Sequence, residues 1–470
     1  MEVTKINYLV RDLDEIDSNP LAAHLPLAPV SPEACGSALY RVLKYSPQER
    51  ELPAEIRLLK TFRLKKFIEP PPQARFALQC VMTQVIHSYF ERNPLTPLGR
   101  KLMHGFPVDL KVKPEITMIT GLPGMGKSTV ATAITDYLSS SHGQAVYHDT
   151  FHGEPVCLKQ LTYVRRNLPA RATMNSICEN FGDTVDSALE ENIYAAKFRK
   201  IAGRTNTNHV NEMRKIIAAH GIGLLVFDEF QNLSLRGRGA KEVLQMLVNF
   251  RDELGVPILV VGTTASRKIF EKDPAAARRL SEGGCFEIQR PTTPHDKWFQ
   301  QLCREAWNYS WVRDPVDWDD GFFDKLFDVS QGIPAILLTA MQKAQSWAIT
   351  EGLERVDMDV IQHVYDQFMT PVHAVISALR LGDYRSLAKL DGILGKALRD
   401  LDKGESEADM PPTQSKGVDR EGEVVQASKS AKPNKAKLGR TRPVIQPEEL
   451  KSFVTAPDSV EVMNRMEAQA

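Results

Sequence analysis

"EITMITGLPGMGKST", Glu115 to Thr129, decides how this chain reads. Its first half is a short apolar run of the kind that forms a strand covered on both faces. Its second half matches G-x-x-x-x-G-K-[ST] at Gly121, Gly126, Lys127 and Ser128, and the residues that follow open a helix. Strand, glycine-rich loop and helix together are the context in which that pattern carries chemistry. The glycines let consecutive backbone N–H groups curl around phosphate oxygens, and the helix N-terminus adds partial positive charge. Gly121, Pro123, Gly124, Met125, Gly126, Lys127, Ser128 and Thr129 are therefore the expected phosphate cradle for ATP. Lys127 is placed to reach the β- and γ-phosphates, and the Ser128 hydroxyl to ligate Mg²⁺.

Working outward, "LLVFDEFQNL" is a second apolar strand ending in two acids. Asp228 is the expected second magnesium ligand. Glu229, one residue on, can orient and deprotonate an attacking water. The adjacent pair favours hydrolysis over phosphoryl transfer to a small acceptor. A third strand ends "VVGTT", and in a parallel sheet Thr263 or Thr264 would sit beside the acids, within reach of the γ-phosphate or the water. "DPAAARRLSEGG" supplies Arg278 and Arg279, either of which could stabilise the transferring phosphoryl group of a neighbouring subunit.

The rest of the chain sorts by composition and periodicity. Residues 1–110 begin Pro-punctuated ("NPLAAHLPLAPVSPEA") and become helical, with "ARFALQCVMTQVIHSYFERN" a clear helix. "EIRLLKTFRLKKF" carries Arg57, Lys60, Arg63, Lys65 and Lys66, either a solvated helix face or a partner contact. Residues 111–293 alternate strands and helices, an α/β pattern with a mostly parallel sheet. Within them "QAVYHDTFHGEPVCLKQLTYV" reads as two strands about a Gly-Glu-Pro turn. Residues 294–400 are amphipathic helices, "PHDKWFQQLCREAW" to "MDVIQHVYDQFM", forming a helical lid. Residues 401–445 hold almost no large apolar side chains, so disorder is expected; their second half is basic. "EELKSFVTAPDSVEVMNRM", within residues 446–470, has the form of a docking peptide on a tether.

Composition narrows the class. Of 470 residues 42% are hydrophobic, and the 59 Lys and Arg balance the 59 Asp and Glu, so any anion-binding surface must be local. The six cysteines are scattered without a C-x-x-C pair, which fits a reducing cytosol and argues against a structural zinc. The N-terminus lacks an apolar h-region, and no apolar run is long enough for a membrane span, so a cytoplasmic protein is expected.

Taken together, these motifs resemble the AAA+ ATPases, and within them the transposition regulators TnsC and TniB of transposons of the Tn-seven type. "SNPLAAHLPL", "GLLVFDEFQNLS", "ELGVPILVVGTTASRKIFEKD", "ARR", "SQG" and "PVHAVISALR" are similar to TnsC in order and spacing, to about residue 390. The longer TnsC branch fits better than the short TniB-like proteins, because of the N-terminal extension and the tail. The resemblance implies a parallel five-stranded AAA+ core with a C-terminal helical lid, in a bacterial, nucleoid-associated protein. It implies ATP-dependent assembly into rings or helical filaments on duplex DNA. It further implies bridging between a target selector (a TniQ- or TnsD-like protein, or a guide-RNA complex) and a TnsB-like transposase, often with TnsA. TnsB-like transposases stimulate the hydrolysis. One departure stands out: Ala335 occupies the start of the lid helix where many AAA+ relatives have an arginine, and Lys343 is the nearest lysine. Slow hydrolysis that leans on the neighbouring subunit is the expectation.

Duplex DNA read without sequence preference must be gripped at its phosphates. The candidates are Arg236, Arg238 and Lys241 after the acids, and Lys159, Arg165, Arg166 and Arg171 around the hairpin-like strands. Each could equally be a solvated charge. The competing readings are another DNA-associated AAA+ protein (an initiator or helicase loader, which commonly appends a winged helix), a P-loop kinase, and a scaffold that uses ATP only structurally. A kinase needs neither the acid pair nor a trans arginine, and a scaffold needs no Lys127, Asp228 and Glu229.

Overall fold

The computed structural model describes residues 6–381, apart from 107, 112, 170–171, 202–205, 234–237, 272–277 and 279–281, together with residues 394–398. The expected disordered segment 401–445 and the motif in 446–470 lie outside the described residues, as does Arg171.

Five strands form one parallel sheet: β1 (Ile116–Gly121), β4 (Tyr163–Asn167), β5 (Leu224–Asp228), β6 (Ile258–Val261) and β7 (Cys285–Ile288), in the order β4-β5-β6-β1-β7. β2 (Ala145–Phe151) and β3 (Glu154–Leu161) form a separate antiparallel hairpin. Its turn is His152–Gly153, both with positive φ (49° and 87°), so Glu154 and Pro155 already belong to β3. The Gly-Glu-Pro turn read from the sequence is thus displaced towards the N-terminus. A further strand, β4, follows the hairpin almost at once and joins the main sheet beside β5. Paired left-handed residues match the twist of a tight hairpin, which is why the turn settles on His152–Gly153.

The sheet's period-two alternation sends side chains to two hydrophobic clusters. Met118, Leu225, Phe227 and Val260 face one, under helices Met174–Leu189, Asn206–Ala219 and Arg238–Leu254. Ile119, Val226, Leu259 and Val261 face the other, which also contains the N-terminal helix Pro72–Ser88, the helix Lys127–Leu138 that follows the P-loop, and the lid. The extension is therefore part of the core. Ala77, Leu78, Val81, Met82 and Val85 are all essentially buried, and each large one contributes about 1.5–3 kcal/mol of burial. The expected lid is helical, from Lys297–Trp307 through Phe322–Ser330, Pro334–Thr350 and Met358–Phe368 to Thr370–Arg380.

The basic stretch at residues 55–67 is not a solvated face throughout. Arg57, on helix Ala54–Thr61, is 1% exposed. Its Nη1 and Nη2 each donate to the carboxylate of Glu354, at 2.6 Å, and Nη1 also donates to the Trp311 carbonyl at 2.9 Å. A guanidinium fork on a carboxylate staples the extension to the lid. Among the described residues no helix is long and apolar enough to cross a membrane.

Candidate nucleotide site

Strand order places the site. β1 ends in the P-loop, β6 lies next to it, and β5 lies beyond β6. The residues after β6 are thus held between the P-loop and the acids after β5, at the carboxyl ends of the strands, where open α/β sheets bind their ligands.

The P-loop turns on glycines. Gly124 and Gly126 have φ of 80° and 79°, in the left-handed region that a side chain resists. A Cβ at Gly124 would also sit 2.9 Å from Ile333 Cγ2 and 3.2 Å from Ala335 Cβ. The lid approaches that closely because the Ala335 N–H donates to the Gly124 carbonyl at 3.1 Å. Small residues at both positions make the docking possible, and Ala335 is where the sequence departs from its AAA+ resemblance. Lys127 opens the next helix, is 8% exposed, and donates from Nζ to the Leu122 carbonyl at 2.8 Å.

Ser128 and Asp228 meet as expected: Ser128 Oγ donates to Asp228 Oδ1 at 3.0 Å. Asp228 is 2% exposed. Its Oδ2 accepts from Arg165 Nη2 at 2.7 Å, and its Oδ1 also accepts from the Glu229 N–H at 2.8 Å. The pair could hold a magnesium ion on ATP, since a hard cation takes a hydroxyl and a carboxylate with phosphate oxygens and water. Glu229 has φ 55° and ψ 39°; a left-handed backbone costs a non-glycine residue roughly 1–2 kcal/mol. That bend turns it out of the strand direction and into the cavity wall.

Gln231 escaped the sequence reading. Its Nε2 donates to Glu229 Oε2, and its Oε1 accepts from the Thr263 N–H at 3.1 Å and from Ser266 Oγ at 3.5 Å. One amide therefore ties the end of β5 to the end of β6 across the cavity. Gly262 leaves it room, because a Cβ there would lie 2.9 Å from Gln231 Oε1. Of the two threonines, Thr263 lines the cavity, while Thr264 begins helix Thr264–Glu271.

The expected DNA contacts divide. Arg165 is corrected: it points inward, donating to Asp228, to the Ser128 carbonyl at 2.9 Å and to Thr132 Oγ1. The reason is β4. In a strand paired with β5, Arg165 registers with Val226 and reaches over to the carboxylate at the strand's end. Arg166, next along, falls on the other face and is exposed. Lys241 is exposed; Lys159 is about half exposed and pairs with Glu191 at 2.6 Å. Arg236 and the side chain of Arg238 lie outside the described residues, as does Arg279. Arg278 is exposed, 3.5 Å from Glu282, and is not among the residues lining the cavity.

The cavity itself is about 800 Å³. The P-loop, Asp228, Glu229, Gln231 and Thr263 form its polar wall. Much of the rest comes from outside the motifs: Lys65, Phe67, Ile68, Glu69 and Pro71 of the extension, and Trp298, Leu302 and Leu338 of the lid. Burial, then the nearby Glu305, push the Glu69 carboxyl up to about 7, against the opposing pull of Arg75.

Comparison with a family model agrees with this geometry. Residues 111–270 match the family model described as an AAA domain. No curated protein matches the chain. Among solved structures it is similar to a Walker-type ATPase of Pyrococcus abyssi (16% identity, 63% of this chain and 80% of that one, TM-score 0.36). It is also similar to the ORC1 protein of Aeropyrum pernix, solved in complex with DNA (15%, 62% and 76%, TM-score 0.36). A third is Cdc6p of Pyrobaculum aerophilum (11%, 71% and 96%, TM-score 0.39). With its parallel sheet, P-loop and strand-end acids, the stretch at residues 111–270 is the P-loop α/β core of an AAA+ ATPase.

Proposed function

We propose that the chain is an ATP-hydrolysing regulator of DNA transposition that assembles on duplex DNA and bridges a target selector to a transposase. The observation that carries the hydrolytic part is the contact of Ser128 with Asp228, with Glu229 next in the chain and tied through Gln231 to Thr263. Bound ATP with magnesium supplies the phosphoanhydride to be cleaved. Glu229 takes a proton from a water as its oxygen attacks the γ-phosphorus, and ADP leaves. Thr263 and Gln231 fix the water and the carboxylate, so the proton acceptor need not reorganise during the step. Lys127 holds the β- and γ-phosphates, and Arg165 steadies Asp228 from behind.

The site's described lining contains no arginine placed over a γ-phosphate, and Ala335 offers none from the lid. That supports a donor from a neighbouring subunit, Arg278 or Arg279, and hence hydrolysis that depends on assembly and on a stimulating TnsB-like partner. The transposition reading is supported by the ordered TnsC-like stretches in the sequence. DNA phosphate contacts are assigned to Arg166, Lys159, Lys241, Arg236 and Arg238.

Electron microscopy with an ATPase assay tests the reading. With ATP, magnesium and non-specific duplex the chain should form rings or helices, and Lys127→Ala should not. A protein that stays monomeric and inert under all these conditions would sink it.

A further inference from the structure

Glu69 stands in the cavity wall and has no part in the chemistry above. It lies on the extended segment after the turn Phe62–Lys66, and that segment is pinned at both sides. Ile68 and Arg41 exchange backbone hydrogen bonds at 3.2 and 3.4 Å, and Trp298 Nε1 donates to the Glu69 carbonyl at 3.1 Å. Glu69 is nine-tenths buried (7% exposed), and among the described residues its Oε2 is sealed from solvent without a hydrogen-bond partner. A sealed polar atom without a partner costs about 1–3 kcal/mol, a cost that is removed when the carboxyl turns about its terminal bond and presents that oxygen to a ligand in the cavity. The surfaces beside it, Ile68, Pro71, Trp298 and Leu302, are apolar and suit the faces of a planar base, whereas the phosphate donors belong to the P-loop.

The geometry points to Glu69 as the residue that reads the base of the bound nucleotide and sets a preference for adenine. The inference rests on the reading of this cavity as an ATP site. A neutral carboxyl presents one donor and one acceptor side by side. Adenine offers the complement, a 6-amino donor beside the N1 acceptor. An ionised carboxylate only accepts, and matches the N1–H and 2-amino donors of guanine instead. The surroundings hold Glu69 near the neutral form: burial and the facing Glu305 on helix Lys297–Trp307 disfavour the charge, and Arg75 on helix Pro72–Ser88 favours it. Other titratable groups around it include Tyr40, whose hydroxyl is 3.4 Å from Glu305, Tyr309, and the cavity-lining Lys65 and Lys127. The preference for adenine should therefore weaken as pH rises.

Calorimetric titration of the full chain with ATP, GTP and tripolyphosphate, each with magnesium, at pH 6 and pH 8 tests this. The ratio of ATP to GTP affinity cancels the titration of the phosphates themselves. In the wild type it should be at least about tenfold at pH 6 and smaller at pH 8. Glu69→Gln, whose amide also carries a donor beside an acceptor, should keep the ratio and make it independent of pH. Glu69→Ala should lose about tenfold in ATP affinity with tripolyphosphate unchanged. If Glu69→Ala does not fold, the pH-independence of Glu69→Gln decides alone. An unchanged ratio in Glu69→Ala, or a Glu69→Gln ratio that still falls with pH, overturns the assignment of Glu69. A wild type that binds neither nucleotide nor tripolyphosphate, or a Lys127→Ala that binds all three normally, overturns the reading of the cavity instead.

Discussion

The P-loop and the N-terminal extension line the same cavity, yet they got there by different routes. The P-loop is local: its glycines, Lys127 and Ser128 are consecutive, and backbone geometry alone brings their donors together. The extension reaches the cavity only through packing. Helix Pro72–Ser88 must bury its apolar face on the sheet, and Arg57 must find Glu354, before Glu69 faces the nucleotide pocket at all. A motif can be altered without disturbing the fold around it; a packed segment cannot. That asymmetry can be tested from both sides.

The largest effect expected is on binding. Lys127→Ala removes charge-assisted bonds to two phosphates and should weaken ATP on the order of a thousandfold, with the melting temperature of the free protein unchanged, by calorimetry. A parallel fall in stability would mean that the P-loop is as structural as the extension.

Acid should strike the other side. His24 of the extension, at 1% exposure, shares Gln160 with His148 of the hairpin. Burial above all pushes them down, to about 3 and about 4 respectively. Both pKa values are depressed on folding, so the stability they contribute is fully present above their ordinary value of 6.5 and is lost progressively as pH falls from there to the folded values. At pH 5 the loss should be about 4 kcal/mol for the two together. Thermal melts between pH 8 and pH 5 measure it, and a His24→Gln, His148→Gln double variant should flatten the slope.

Arg57→Ala should cost about 3 kcal/mol, at the low end for a broken buried pair because Glu354 is partly exposed. Chemical denaturation reads this, and the nucleotide affinity of the folded fraction should fall with it, since the extension carries part of the cavity. Unchanged stability would show the staple to be dispensable.

Glu229→Gln should slow hydrolysis about a hundredfold while leaving ATP binding and assembly intact. A variant that hydrolyses normally would mean that another group takes the proton. Gln231→Leu is the mildest: a drop of about tenfold in kcat with KM little changed, because it disorients Glu229 and Thr263 without touching the phosphates. An unaltered kcat would reduce Gln231 to a packing residue.

Much of the polar wall was legible in the sequence. Lys127, Ser128, Asp228 and Glu229 come together as their spacing after strands demanded, because parallel strands deliver their carboxyl ends to one edge. The rest was not legible, for particular reasons. β4 is short and follows the hairpin with hardly a break, so Arg165 read as a loop cation; pairing with β5 turns it onto Asp228. Gln231 sits two residues beyond Glu229, and its contacts depend on β6 lying next to β5, which no local pattern states. Arg57 sits in a basic run whose other cations are half-buried or exposed, and only the lid's Glu354 distinguishes it.

The sequence by itself determined the chemistry of the phosphate end. A P-loop works through its own backbone, and the two acids follow a strand whose hydrophobicity announces it. The tertiary structure alone decided which side chains of the extension and the lid close the cavity, which cation buttresses Asp228, and that the extension belongs to the core. Those depend on side chains distant in sequence meeting in a low-dielectric interior, where an unmatched charge or donor is costly and partners are therefore selected by position.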